Sequence, residues 1–111
     1  MKRRFSLGAF ELMIMLALMR LGEPAYGVPI SREIEDACGQ VVALATLYAA
    51  LARLEKKGLI SSRVGEPTAE RGGRAKRYFR ITARGLRDVR EAQRVFTSLW
   101  QGIPALKGGA A

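Results

Sequence analysis

Apolar positions recur along this chain with a period that changes, and each change marks an element. Residues 8–21 are apolar nearly all the way round, with Phe10, Leu12, Met13, Ile14, Met15, Leu16, Leu18 and Leu21. A helix in a small monomer buries one stripe. This helix is therefore either central or has a second face that meets another chain. Gly22-Glu23-Pro24 ends it. A second helix is predicted from about Val28 to Cys38, with Pro29 in the first turn, where proline is tolerated. Its inward stripe is Ile30, Ile34 and Ala37 or Cys38, and Gly39 closes it.

Leu44, Leu47, Tyr48, Leu51 and Leu54 then recur at helical spacing, which predicts a third helix over 44–58. Lys56 and Lys57 fall in its last turn and Gly58 follows, a good C-terminal stop. The opposite face carries Ala45, Thr46, Ala49, Ala50 and Arg53. Solvated faces normally carry long charged side chains, whereas small ones let a helix approach something closely. Residues 59–64 and 77–82 read as two strands of a hairpin, with Phe79 and Ile81 on one face and Tyr78 and Arg80 on the other. The polar loop 65–76 between them contains Pro67 and the pair Gly72-Gly73. Thr82 caps a last helix, about residues 83–101, with a stripe of Leu86, Val89, Phe96, Leu99, Trp100 and Ile103 interrupted by Gln93. Arg84, Arg87, Arg90 and Arg94 lie largely off that stripe, and residues from 104 on read as a loose tail.

Charge sharpens the picture. The chain has 111 residues, enough for one domain, and a net charge of +9. Residues 1–60 carry a net +2 and residues 61–111 a net +7. Such asymmetry is expected of a domain that faces a polyanion, either nucleic acid or an acidic membrane surface, against the plainer reading of a well-solvated basic surface. There is no histidine and one cysteine, Cys38, so no intrachain disulfide can form and the residues for a zinc site are missing. With no phosphate-binding loop or nucleophile elbow either, an enzyme is poorly supported; no catalytic residue, metal or cofactor is expected. The apolar run Leu12–Met19 stops at Arg20, far short of the roughly 20 residues of a membrane span. A buried helix of a cytoplasmic protein fits it.

The order of elements is that of a helix-turn-helix followed by a wing, in a mainly α fold with a small β-hairpin. The third helix can enter a major groove, where short side chains such as Thr46 bring the backbone near base edges. Gly72 and Gly73 let the wing approach phosphates without a Cβ in the way, and Arg71, Arg74, Lys76 and Arg77 supply counter-charge.

The segments "YG" at 26–27, "ATLYAALARLEKKGLI" at 45–60 and "GGRAKRYFRIT" at 72–82, with Gly85 three residues on, closely resemble the PadR family of bacterial transcriptional regulators. The resemblance runs from about Leu7 to Trp100. It implies a winged helix-turn-helix dimer, usually a repressor, that dimerises through its last helix with help from the first. The over-apolar first helix and the stripe ending in Trp100 ask for such a partner independently. Many relatives carry serine and proline before the third helix; Ala43, Leu44 and Ala45 stand here, so a serine cap is lost.

On this reading residues 1–82 form the DNA-binding domain, 83–103 a dimerisation helix packed on it, and 104–111 a flexible tail. Expected contacts with double-stranded DNA are Thr46, Tyr48, Ala49, Arg53, Arg71, Gly72, Gly73, Arg74 and Lys76. Expected interface residues of the homodimer are Phe10, Met13, Leu86, Val89, Phe96, Leu99 and Trp100. Alternatives stand beside several of these: Thr46 as a helix cap, Tyr48 as core, Arg53 as a solvated charge, and Trp100 as a platform for a planar small-molecule effector. Tyr26 reads as a turn anchor and Cys38 as inert helix packing. At the level of the whole protein, the rivals are a winged-helix module that binds protein or structured RNA, and a basic membrane binder that would need the last helix's apolar face free.

Overall fold

The computed structural model describes residues 7–22, 24–65 and 76–107. Helices α1 (Ala9–Leu21), α2 (Gly27–Cys38) and α3 (Leu44–Lys56) are followed by strands β1 (Ile60–Val64) and β2 (Arg77–Ile81) and by α4 (Ala83–Trp100). The strands pair antiparallel, with Ser62 opposite Phe79. A third short edge was not anticipated: Ala25 exchanges both backbone hydrogen bonds with Phe79, at 3.0 and 2.8 Å. β2 is thereby the middle of a small sheet.

α1 is central. It touches α2, α3, β2 and α4, which is why so much of its circumference is apolar. Ile14, Met15, Ala17 and Leu18 are buried, and Phe10, Leu12, Met13 and Leu21 pack half-buried on the core. From α2 the core takes Ile30 and Ile34, from α3 Leu47, Ala50, Leu51 and Leu54, and from the sheet Leu59, Ile60 and Phe79. Ala37 and Cys38 are both exposed, contrary to the expected stripe, because the last turn of α2 runs past the core.

α3 ends as its sequence predicts. Gly58, at φ 79°, donates to the Glu55 carbonyl at 2.9 Å, and Leu59 donates to that of Leu54 at 3.0 Å, which satisfies two terminal carbonyls. Thr82 joins this corner to α4: its Oγ1 accepts the Gly85 N–H at 3.0 Å and its hydroxyl donates to the Gly58 carbonyl at 2.8 Å. Gly85 is needed here for space. A Cβ would run into the Leu59 carbonyl oxygen and stand 2.8 Å from Ile81 Cγ1.

Only the first half of α4 packs on its own domain, through Gly85, Val89 and Ala92. From Gln93 onward almost every residue is exposed. The radius of gyration is 16.4 Å, against roughly 13 Å for a compact chain of this length, as a projecting helix end requires. Beyond it, Pro104–Leu106 form a 3₁₀ turn where a loose tail was expected. No helix among the described residues is long and apolar enough to cross a membrane.

Candidate nucleic-acid interface

The turn between α2 and α3 is held by one carboxylate. Glu35 Oε2 accepts the Val42 N–H at 2.9 Å and the Ser31 hydroxyl at 3.1 Å, while Ser31 Oγ lies 3.3 Å from the Val42 carbonyl. Ser31 is buried, so this polar cluster fixes the angle of α3 from inside. Ala43 is the N-cap of α3 and offers no side-chain cap, in keeping with the missing serine. Thr46, inside the helix, is exposed and is not the cap.

Ala45, Thr46, Ala49, Ala52 and Arg53 form the outward face of α3. Two expectations change. Ala50 is fully buried, whereas Leu44, expected on the core stripe, is 42% exposed. Leu44 is the first residue of α3, and the buried stripe begins one turn later, at Leu47. Val41, at the tip of the turn, is 89% exposed and extends this small, methyl-rich surface. Tyr48 is not a core residue either. It lies at the border, half-exposed, its ring tilted against Phe79 at 6.4 Å and its hydroxyl end over Gly27.

The far end of α3 is tied to α1 by Glu11. Its carboxylate accepts the Gly8 N–H at 3.1 Å and the Lys57 ammonium at 2.8 Å, with Arg53 Nε at 3.7 Å. Burial raises the pKa of Glu11, but the Lys57 hydrogen bond, the Gly8 N–H and the charges of Lys57 and Arg53 outweigh it, leaving the group below its ordinary value of 4.5. Arg53 thus keeps an exposed guanidinium with an ion partner behind it. Sequence reading missed this role of Glu11; a lone acid in an apolar helix was the available signal.

The wing has two unlike faces. Ile60, Ser62, Phe79 and Ile81 turn toward the helices, where Ser62 donates to Glu55 of α3 at 2.7 Å and accepts from Arg77 at 3.0 Å. The other face carries Ser61, Arg63, Tyr78 and Arg80. Tyr26 meets Tyr78 edge-on at 5.8 Å, and the Lys76 ammonium sits 4.1 Å from the Tyr26 ring centroid. Tyr26 therefore anchors the entry to α2 against the wing. Of the expected wing contacts, Lys76 stands at the foot of β2; Arg71, Gly72, Gly73 and Arg74 lie outside the described residues.

The residues expected at a dimer interface divide. Phe96 is 37%, Leu99 67% and Trp100 63% exposed, with the Phe96 and Trp100 rings 6.0 Å apart. Ile103 and Leu106 continue this apolar surface. Val89 must be withdrawn from the interface: it is 6% exposed and faces its own core. Leu86, Phe10 and Met13 are half-buried. On α1 the apolar residues that face outward are Leu16 and Met19, neither of which was singled out.

A helix-turn-helix braced by a hairpin that packs on its third helix is a winged helix. The Transcriptional regulator PadR-like family model matches residues 15–91. Solved structures agree. A PadR family transcriptional regulator from Eggerthella lenta is 32% identical, over 86% of this chain and 81% of that one, with a TM-score of 0.68. A PadR-like transcription factor from Bacteroides fragilis is 31% identical, over 81% and 82%, at 0.71. A transcriptional regulator from Clostridium thermocellum is 31% identical, over 80% and 81%, at 0.66. No curated protein matches the chain. The chain belongs to the PadR-like family; membership implies a transcriptional regulator that binds DNA, a class of protein that is not enzymatic.

Proposed function

We propose that the protein is a sequence-specific repressor that binds an inverted-repeat operator as a homodimer. The observation that carries this reading is the outward face of α3. Ala45, Thr46, Ala49 and Ala52 leave that helix nearly bare, with Arg53 at its edge and a basic wing beside it. Bare helices fit major grooves; methyl groups at Val41 and Thr46 suit thymine methyls, and the Thr46 hydroxyl suits a base edge. Tyr48, Ala49 and Arg53 line the approach, and Arg71, Gly72, Gly73, Arg74 and Lys76 hold phosphates from the wing. Phe96, Leu99 and Trp100, too apolar to stay in water as one patch, pair across a two-fold axis with help from α1 and so place two reading helices in one assembly. The seam around Trp100 is where a planar small-molecule effector would stack and relieve repression.

Selection of bound fragments from genomic DNA, followed by fluorescence anisotropy on the selected duplex, a scrambled duplex and a structured RNA, tests the reading. Tight binding to the selected duplex alone is expected. Equal affinity for RNA, or no affinity for any duplex, replaces it with an interaction module. A reporter placed behind the selected site gives the sign of regulation.

A further inference from the structure

The face of the wing turned away from α3 has the composition of a polyanion-binding surface. Three extended segments contribute to it. Ala25 pairs with Phe79 and both side chains are buried, so Pro24 and Tyr26, on either side of Ala25, share the opposite face with Tyr78 and Arg80. Ser61 stands across from Arg80 and Arg63 across from Tyr78. The Arg63 guanidinium lies over the Tyr78 ring, 5.4 Å from its centroid, and Lys76 lies over Tyr26. Each cation is thus held against an aromatic plane. Pro24, Ser61, Ser62, Arg63, Tyr78 and Arg80 enclose a shallow cleft of about 270 Å³. No carboxylate lies on this face among the described residues.

Charge of one sign gathered on a folded sheet is costly unless a counter-charge meets it. Packing does not explain Arg63 and Arg80, which are both exposed. The surface also shares Lys76 with the proposed DNA contacts. We infer that the outer face of the wing holds phosphates of the duplex flanking each half-site, so that the DNA is engaged beyond the segment read by α3 and the wing tip. Arg63 and Arg80 are the principal contacts, with the Ser61 hydroxyl as a further donor. Backbone contacts of this kind carry no sequence of their own; they lengthen the footprint and favour flanks that bend easily.

This inference rests on the DNA-binding reading, and the test separates the two. The selected operator is prepared as a duplex ending at the outer edges of its half-sites, and again with about 10 bp, roughly one helical turn, added on each side. The wild-type protein should bind the longer duplex more tightly, by about fivefold or more at low salt, with a log–log salt slope steeper by about 3–4 for a dimer. The R63A/R80A double variant should lose that gain yet bind the short duplex as the wild type does, with an unchanged melting temperature. Hydroxyl-radical footprints of the wild type should reach past the half-sites and those of the variant should not. Equal loss on both duplexes puts these arginines in the primary contact and overturns the inference. So does a wild type indifferent to length, or a variant that keeps the gain. Failure of the wild type on every duplex removes the DNA reading itself.

Discussion

The hydroxyl end of Tyr48, on α3, occupies the space where a side chain at Gly27 would begin: a Cβ there would stand 2.6 Å from Tyr48 Cζ. Two separate motifs of the sequence, Tyr26-Gly27 and Leu47-Tyr48, are thus one feature in space. Alanine at 27 is worth up to about 1 kcal/mol in helix propensity, and the obstruction is the end of a half-exposed ring that can swing away. The two effects should nearly cancel in stability. Gly27→Ala is therefore expected to melt within a few degrees of the wild type but to bind operator more weakly, because Tyr48 is displaced. In a Tyr48→Ala background the same change should stabilise by about 0.5–1 kcal/mol. Urea denaturation of the four proteins checks this, and a large loss in Gly27→Ala with no rescue would contradict it.

Glu11 links the central helix to the last turn of α3. Its folded pKa is lowered, so its contribution to stability is complete above its unfolded value near 4.5 and disappears as pH falls through the lower folded value. Glu11→Gln should be less stable than wild type at pH 7 by about 1–2 kcal/mol, the range of a charge-assisted hydrogen bond with partly exposed partners. The difference should begin to close once pH falls below about 4.5 and vanish where the wild-type carboxylate is fully protonated. Denaturation midpoints from pH 7 down through the acid range measure it; a gap that never narrows with acidification would assign the loss to packing.

Thr46 and Arg74 should fail differently. Thr46→Ala is expected to alter preference among operator variants, while Arg74→Ala weakens operator and scrambled duplex alike. Wild-type affinity should fall by roughly 10³–10⁵ between 50 and 200 mM salt if about 6–10 phosphates are contacted. Anisotropy titrations against both duplexes at two salt concentrations test all three statements; a nearly flat salt response would count heavily against them.

The two halves of α4 should separate by mutation. Val89→Ala, in the core, should cost about 1–3 kcal/mol of stability and leave the association constant of the folded chain little changed. Trp100→Arg, on the projecting end, should do the reverse: near-native helicity, a dimer weakened at low micromolar concentration, and operator affinity weakened with it. Sedimentation equilibrium alongside circular dichroism tells the two outcomes apart. A wild type that is monomeric there and still binds operator tightly would remove the dimer from the mechanism.

All four helices and both strands were legible from periodicity and stop signals, since α3 and α4 carry their own ends in Gly58 and Thr82. Errors arose where burial depends on what lies opposite. Leu44 has the right spacing for the core stripe but is the first residue of α3, ahead of the buried part of that stripe. Ala50 and Ala92 look like surface residues by type and are buried because helices cross closely there. By sequence Gln93 interrupts the stripe of α4, whereas the buried face runs through Gly85, Val89 and Ala92. The Ala25–Phe79 pairing joins segments far apart in the chain, and no local pattern announces it. At the candidate interface, the reading of α3 needed only residue size, whereas the roles of Glu11 and Arg63 depend on which distant groups they meet.

The Thr82 corner has a mechanical consequence. One hydroxyl clamps the carbonyl just past α3, and its oxygen also starts α4, so the two helices are tied together at this corner. α4 is 18 residues long, a stiff arm of about 27 Å. Tilting it by ten degrees would sweep its far end through roughly 5 Å, more than one base-pair step. In a dimer joined at those far ends, the angle between two arms gauges the distance between two reading heads. Inserting one base pair between half-sites should then disrupt binding far more than a change of base within that spacer, and anything wedged between the arms would work as a caliper set to the wrong width.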